Sequence, residues 1–420
     1  MSRGPRYRRW LPWVAVLGLV LIVTAAALAI TRDDNVTNLG VQFKPQPDVP
    51  PPTPPAKTSS YPAFQWPVYG YTKDRVRQLP LGDPAAMHPP YKENWSLHGS
   101  TLLEFPPVMG AHSLYILKNN GALYAVERQT GHVEWKDKIG DLAASSPAYD
   151  NGSVYAVLLL RPNSSDAGRV VAVDAKTGRI RWSRNLPSRS ESSPLVDSGR
   201  VFFGTEDGTV YSLDAANGHV KWTHRAPGAV KAGIAMDAGR NLYYGTYGGT
   251  VQSLHARDGS VRWSVSAGEN FYSTPAVAYG RVYLGNTDGN VYSFGTDHGD
   301  LGWRHSTGSY VYSSPAVADP GGAGPTVYIG SYDGKLYALD ARTGDPRWVH
   351  DAEGKISGGI VVVGDLVFYS TLSRTSSAVG ASTGRFVWRT HRGAFNPVVS
   401  DGRQLFLVGY SSLFALQPKR

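Results

Sequence analysis

The chain has 420 residues, a charged fraction of 18% and 47 glycines; that is enough for one large globular domain plus appendages, with fewer charges than the usual quarter or so. Cysteine is absent, which excludes a disulfide framework, a cysteine metal site and a lipid-modified cysteine. The net charge of +9 invites a nucleic-acid reading, but residues 1–32 hold five arginines and no acid, so nine less five leaves +4 for the other 388. Over half of the excess is local, and nucleic acid is set aside as a partner.

Arg3, Arg6, Arg8 and Arg9 precede an uncharged apolar run at 11–30. Twenty such residues in a helix span about 30 Å, the hydrocarbon thickness of a bilayer. Arginines before the run and Asp33-Asp34 after it predict a cytoplasmic tail at 1–10, a transmembrane helix or signal anchor at 11–30, and everything beyond it outside the cell membrane. The alternative is cleavage near Ala29, after Ala27-Leu28, which would release a secreted or periplasmic protein.

Residues 31–90 read as an extracytoplasmic linker. Pro50, Pro51, Pro52, Pro54 and Pro55 favour an extended, stiff polyproline conformation. Tyr61, Phe64, Trp66, Tyr69 and Tyr71 then crowd together. They are expected to pack against the outside of the folded domain; an exposed aromatic contact for a partner is the functional alternative.

From residue 91 to 420 the chain repeats. In residues 331–348, SYDGKLYALDARTGDPRW, the alternation of KLYALD predicts a half-buried strand. Asp333-Gly334 before it and Thr343-Gly344 after it have turn chemistry. A Gly-x-x-x-Trp unit recurs at Gly131/Trp135, Gly178/Trp182, Gly218/Trp222, Gly259/Trp263, Gly299/Trp303, Gly344/Trp348 and Gly384/Trp388. The tryptophan spacings run from 40 to 47 residues, and a period of about 40–45 with four short strands per unit is that of a β-propeller blade.

The C-terminus stops one strand and one tryptophan short, and Glu93-Asn94-Trp95-Ser96, forty residues before Trp135, supplies the missing piece. The expected fold is therefore all-β: an eight-bladed propeller of four-stranded antiparallel blades, its last blade closed by the N-terminal strand and removing a free sheet edge. Trp95, Trp135, Trp182, Trp222, Trp263, Trp303, Trp348 and Trp388 read as structural wedges between blades. Truncating a buried tryptophan typically costs about 3–5 kcal/mol.

The segments LYALDARTGDPRW, VVAVDAKTGRIRW and VYSLDAANGHVKW, with the Ser-Ser-Pro strands at 145–147, 192–194 and 313–315, resemble the repeat of pyrroloquinoline-quinone (PQQ) propellers over about 93–420. The resemblance implies one of two things: a PQQ-dependent dehydrogenase with Ca²⁺, or a non-enzymatic, BamB-like eight-bladed propeller. The dehydrogenases have inserted loops, a vicinal cysteine pair and carboxylate and amide ligands for calcium; this chain has short blades and no cysteine. BamB-like proteins are lipoproteins, and their lipid-bearing cysteine is missing too.

Aligning the inner strands on their Ser-Ser-Pro positions places Glu104, Ala144, Glu191, Lys231, Tyr272, Tyr312, Ile356 and Ala394 around the channel entrance. Of these, Glu104, Glu191, Lys231, Tyr272 and Tyr312 are the candidate ligand-binding residues, two aromatics beside a cation and carboxylates suiting a planar anionic or polyhydroxylated ligand. The plain alternative is a solvated rim where Glu191 and Lys231 neutralise each other for under about 1 kcal/mol. His224, His305 and His350 each follow a blade tryptophan by two residues and fall in different blades, so no shared metal site is expected. No serine elbow, zinc helix, phosphate loop or dinucleotide fingerprint occurs. The expected function is a non-catalytic binding or scaffolding module for envelope proteins or ligands, with no catalytic or metal residues and no cofactor. The alternatives are a PQQ-dependent dehydrogenase, with PQQ and Ca²⁺, and a binder of cell-wall polysaccharide.

Overall fold

The computed structural model describes residues 35–45, 64–160, 167–320, 322 and 324–419. The expected membrane helix at 11–30 and most of the proline-rich segment lie outside them. Among the described residues no helix is long and apolar enough to cross a membrane.

The described residues hold eight sheets built from four-stranded antiparallel blades, two of which gain a fifth strand. Blade three shows the plan: Leu195–Asp197 innermost, then Arg200–Gly204, Thr209–Asp214 and Val220–Arg225 at the rim. Asp207-Gly208 and Asn217-Gly218 make the second and third turns, the glycines at φ +87° and +73°, a region that costs glycine nothing.

One expectation changes. KLYALD reads as half-buried, yet in Lys335–Asp340 all four residues 336–339 are buried. Blades pack on both sides of each sheet, so the inner three strands have no solvent face. Alternation of burial is clearest on the rim strands, as in Val220–Arg225.

Each rim strand but that of Trp388, whose indole meets Tyr91 edge-on at 5.1 Å, carries its tryptophan into a three-residue stack. The residue paired with it on the third strand is small throughout: Ala125, Ala172, Ser212, Ser253, Ser293, Ala338, Ala378 and Ala415. An aromatic ring from the second strand tilts against the indole, as with Tyr115–Trp135, Phe202–Trp222 and Tyr283–Trp303. The indole N–H then crosses to the next blade: Trp135 Nε1 donates to the Ala175 carbonyl at 3.0 Å, Trp222 Nε1 to Ala256 at 3.0 Å and Trp303 Nε1 to Ala341 at 3.0 Å. A small partner leaves room for the indole, and the indole reaches its neighbour.

The ring closes as a composite blade. Tyr91–Leu97 pairs antiparallel with Leu413–Pro418, with Trp95 opposite Ala415, and Trp95 Nε1 donates across the seam to Arg128 O at 3.0 Å.

The segments before residue 91 do more than link. Val36–Thr37 adds a fifth strand to the rim of blade five, opposite Arg304 and Trp303, and Lys44 pairs with Asp297 at 2.8 Å. The aromatic segment was expected on the outside; it instead runs across one mouth of the central channel. Pro67 O accepts from Tyr149 N (2.7 Å), Lys73 O from Met236 N (2.8 Å), Asp74 O from Val277 N (2.8 Å), Val76 O from Val317 N (2.9 Å) and Arg77 O from Val362 N (2.9 Å). Those partners lie on the inner strands of blades two, four, five, six and seven. Gln78–Leu79 then adds to blade seven in parallel. The reason is physical: a ring of inner strands leaves unpaired backbone donors around an open hole, and a segment crossing it with its own free carbonyls satisfies them. Trp66, Tyr69, Arg75 and Arg77 are buried in this plug. Tyr61 lies outside the described residues.

Candidate functional site

The opposite mouth is open. Inner strands begin there, and the hairpins joining second and third strands surround it. The inner strands are laced to one another by side chains: Ser146 N donates to Ser193 Oγ (3.1 Å), Gly233 N to Thr274 Oγ1 (3.0 Å), Thr274 N to Ser314 Oγ (3.0 Å) and Gly359 N to Asn396 Oδ1 (3.0 Å). Serine or threonine at the second position of the Ser-Ser-Pro unit thus holds blade to blade. A side chain accepting one such bond costs no buried donor its partner.

Above this ring lies a pocket of about 270 Å³. Glu104, Glu191, Lys231, Tyr272 and Tyr312 all line it, and Tyr69 of the plug forms part of its floor. From the expected entrance ring, Ile356 is instead fully buried; it packs against Gly330, where a Cβ would stand 2.3 Å from its Cγ2. Ala144 and Ala394 do not line the pocket.

The polar groups are knit together. Lys231 Nζ lies 3.4 Å from Glu191 Oε1 and 3.3 Å from Glu206 Oε1. Tyr272 OH donates to Glu191 Oε2 at 3.1 Å. Glu104 accepts from Asn119 Nδ2 at 2.9 Å. The aromatics form a chain: Tyr247 meets Tyr272 edge-on at 5.8 Å, Tyr272 meets Tyr312 edge-on at 5.8 Å, and Tyr312 tilts on Tyr332 at 4.9 Å. Lys231 Nζ sits 5.2 Å above the Tyr247 ring and Lys355 Nζ 5.5 Å above Tyr332.

Burial pushes the Tyr272 phenol well up, with the Glu191 carboxylate second. Tyr247 is pushed up to about 12 by burial, then by Tyr312, Glu191 and Glu206. Both phenols therefore stay protonated donors at ordinary pH. The arrangement is suited to holding a ligand by stacking and hydrogen bonds.

Sequence reasoning missed Glu206, Tyr247 and Tyr332. A signal existed: each follows the residue after a strand-two glycine, in GTED, GTYG and GSYD, and that hairpin offset sets Glu206 and Tyr247 against Lys231 and places Tyr332 in the pocket wall. Nothing in the repeat could have announced Tyr69. The three histidines stand apart: His224 contacts Gln252 at 3.3 Å, His350 contacts Tyr369 OH at 3.0 Å, and His305 lies edge-on to Tyr337.

A family model described as outer membrane protein assembly factor BamB, PQQ_2, matches residues 119–230 and 225–420. No curated protein sequence matches the chain. Among solved structures, quinohemoprotein alcohol dehydrogenase ADHIIG from Pseudomonas putida HK5 superposes with a TM-score of 0.72 at 15% identity, over 84% of this chain and 80% of that one. BamB from Moraxella catarrhalis gives 0.65 at 18%, over 79% and 99%. Quinohemoprotein alcohol dehydrogenase from Comamonas testosteroni gives 0.67 at 15%, over 85% and 81%. At these identities the structural likeness speaks for the fold alone. The family match covers well over half of the chain, and with eight tryptophan-bearing blades beneath it this protein belongs to the PQQ_2 family of BamB-like propellers.

Proposed function

We propose that this protein is a membrane-anchored, extracytoplasmic, non-catalytic binding or scaffolding module, whose open channel mouth grips a partner from the cell envelope. The observation that carries the reading is the convergence of Glu104, Glu191, Lys231, Tyr272 and Tyr312 on one pocket. Its walls are rigid inner strands, and both of its inner-strand carboxylates are already partnered. Arg3, Arg6, Arg8 and Arg9 before the apolar run at 11–30 support the anchor and its orientation. Exposed Tyr310, Leu372 and Tyr410 lie on loops of the same face and widen the surface a partner meets.

The dehydrogenase alternative needs a calcium ion beside a quinone. Calcium takes six to eight oxygen ligands. Here Glu104 is held by Asn119, Glu191 by Lys231 and Tyr272, and among the described residues no group of three His, Cys, Asp or Glu is placed to hold a metal ion. That lining argues for the non-catalytic reading over that pair. The tyrosine chain favours a second reading, cell-wall polysaccharide, because stacked rings suit sugar faces.

The test uses the full chain in detergent and in its native envelope. A photo-crosslinking residue at Tyr310 should trap an envelope protein, and Lys231→Ala or Tyr272→Ala should reduce that capture several-fold. Trapping of glycan alone would favour the polysaccharide reading. Saturable quenching of tryptophan fluorescence by micromolar PQQ with Ca²⁺, together with dye reduction by an alcohol, would sink the non-catalytic reading.

A further inference from the structure

The mouth pocket holds its charges unevenly. Lys231 is shared by Glu191 at 3.4 Å and Glu206 at 3.3 Å, so on its side of the channel two carboxylates already face one cation. Glu104 stands apart from that group, leading into blade one where Lys231 leads into blade four. Its side-chain partner among the described residues is neutral: Oε2 accepts from Asn119 Nδ2 at 2.9 Å, and Oε1 is uncommitted. Along the pocket lining, Glu104 and Glu191 outnumber Lys231 by one charge.

Beside Glu104 the wall is aromatic. Phe105 follows it in the chain, and Asn396 Nδ2 donates to Glu104 O at 2.9 Å, which ties the Phe395 lip of blade eight to it. Phe105, Tyr272, Tyr312, Tyr332 and Phe395 all line the pocket. Neighbouring rings stand steeply to one another: Tyr69 to Phe105 at 73°, Tyr272 to Tyr312 at 80° and Tyr312 to Tyr332 at 51°. Rings set so make the walls of a box. A sugar face or a flat ligand needs a platform, whereas a compact organic cation is attracted by several ring quadrupoles at once.

The molecule already uses these rings in that way, with Lys231 over Tyr247 and Lys355 over Tyr332. Among the described residues no cation covers Phe105, Tyr272, Tyr312 or Phe395. An anion would meet the excess of carboxylate. A bare metal ion would find too few oxygens, since no group of three His, Cys, Asp or Glu is placed to hold one among the described residues, and calcium alone takes six to eight. At about 270 Å³ the pocket has room for the end of a long side chain.

We propose that the mouth pocket receives a basic side chain, the guanidinium or ammonium of an arginine or lysine on the protein it grips, with the charge against Glu104 Oε1 and the stem among the uncovered rings. This rests on the binding-module reading above and adds to it the chemistry of the group that enters.

The probe is the peptide acetyl-Gly-Arg-Gly-amide, titrated into the full chain in detergent and followed by ligand-observed NMR. Its control carries citrulline, which keeps the shape of arginine and lacks the charge. The arginine peptide should bind about ten-fold more tightly. Glu104→Gln keeps a carbonyl for Asn119 and should remove the preference; should that variant fail to fold, the two wild-type titrations decide alone. Equal binding of the two peptides, or a preference that survives in folded Glu104→Gln, overturns the proposal. The two readings fail separately. Crosslinking of an envelope protein at Tyr310 while the peptides bind alike would remove the basic side chain and keep the binding module. A Glu104-dependent preference with nothing trapped at Tyr310 would support the pocket chemistry and remove the envelope protein as its source.

Discussion

The indole of Trp303 lies directly against Gly344 of the following blade: a Cβ at position 344 would stand 2.7 Å from Trp303 Cδ2. Gly344 also sits at φ +80°, so it is required twice, by conformation and by contact. The same relation joins Trp135 to Gly178, Trp222 to Gly259 and Trp348 to Gly384. The Gly-x-x-x-Trp unit is therefore two halves of different latches, the glycine receiving the preceding blade's tryptophan and the tryptophan reaching the next blade's glycine.

Comparing two glycines separates conformation from contact. Gly199 has φ +71° and nothing within 4 Å of its would-be Cβ. Gly199→Ala should cost about 1 kcal/mol, the price of left-handed backbone alone. Gly344→Ala should cost roughly 1–3 kcal/mol more, from displacing the indole. Equal losses in chemical denaturation would mean that the tryptophan contact is slack.

The Ala341 carbonyl takes two donors from the neighbouring blade, Trp303 Nε1 at 3.0 Å and Tyr283 OH at 3.0 Å. Tyr283→Phe leaves the carbonyl still bonded by the indole and should cost only about 1 kcal/mol. Trp303→Ala removes a fully buried ring and should cost about 3–5 kcal/mol. Thermal or denaturant melts of the two variants check the order, and a larger loss for Tyr283→Phe would make the phenol, not the indole, the main tie between these blades.

The legible part of this molecule was whatever repeats. Tryptophan spacing marked out the blades and Trp95 revealed the closing strand, because a missing copy shows against seven present ones. Inner-strand alignment also brought Glu104, Glu191, Lys231, Tyr272 and Tyr312 to one mouth, since equivalent positions in a ring point to one axis. Ile356 escaped that rule because side chains near a strand's start turn either towards the axis or between blades, and an apolar residue takes the second course. Tyr69, Arg75 and Arg77 were illegible for another reason. Their destination is a hole bounded by eight inner strands, which exists only once the ring has closed. Arg75 and Arg77 even adopt φ of +61° and +54°, conformations that no local preference of arginine would suggest.

Closure by the N-terminal strand predicts a specific failure. A chain beginning after Leu97 would lack the partner of Leu413–Pro418 and leave that strand's backbone groups unpaired along an apolar edge. It should self-associate in size-exclusion chromatography and lose its single cooperative melt. Adding the peptide 89–97 in trans should restore part of both. A monomeric, cooperatively folding truncation would show that the seam at Trp95 is dispensable.

The plug is also tied down by charge, which gives it a pH dependence. Lys73 Nζ lies 2.5 Å from Asp197 Oδ1, and Arg240 Nε 2.9 Å from Asp197 Oδ2. Burial by itself pushes the Asp197 carboxyl up, but the bonds from Lys73 and Ser198 and the charges of Lys73 and Arg240 outweigh it and leave it below its ordinary value. For a carboxyl depressed on folding, the stabilisation is complete above the unfolded value of about 3.9 and is lost as pH falls through the folded value below it. Wild-type melting temperature should therefore fall below about pH 4 more steeply than that of Asp197→Asn. The variant should already be less stable at neutral pH, where it lacks the pair. The difference between the two melting temperatures should narrow as the solution is acidified, and a constant difference across that range would remove Asp197 from the forces that hold the plug.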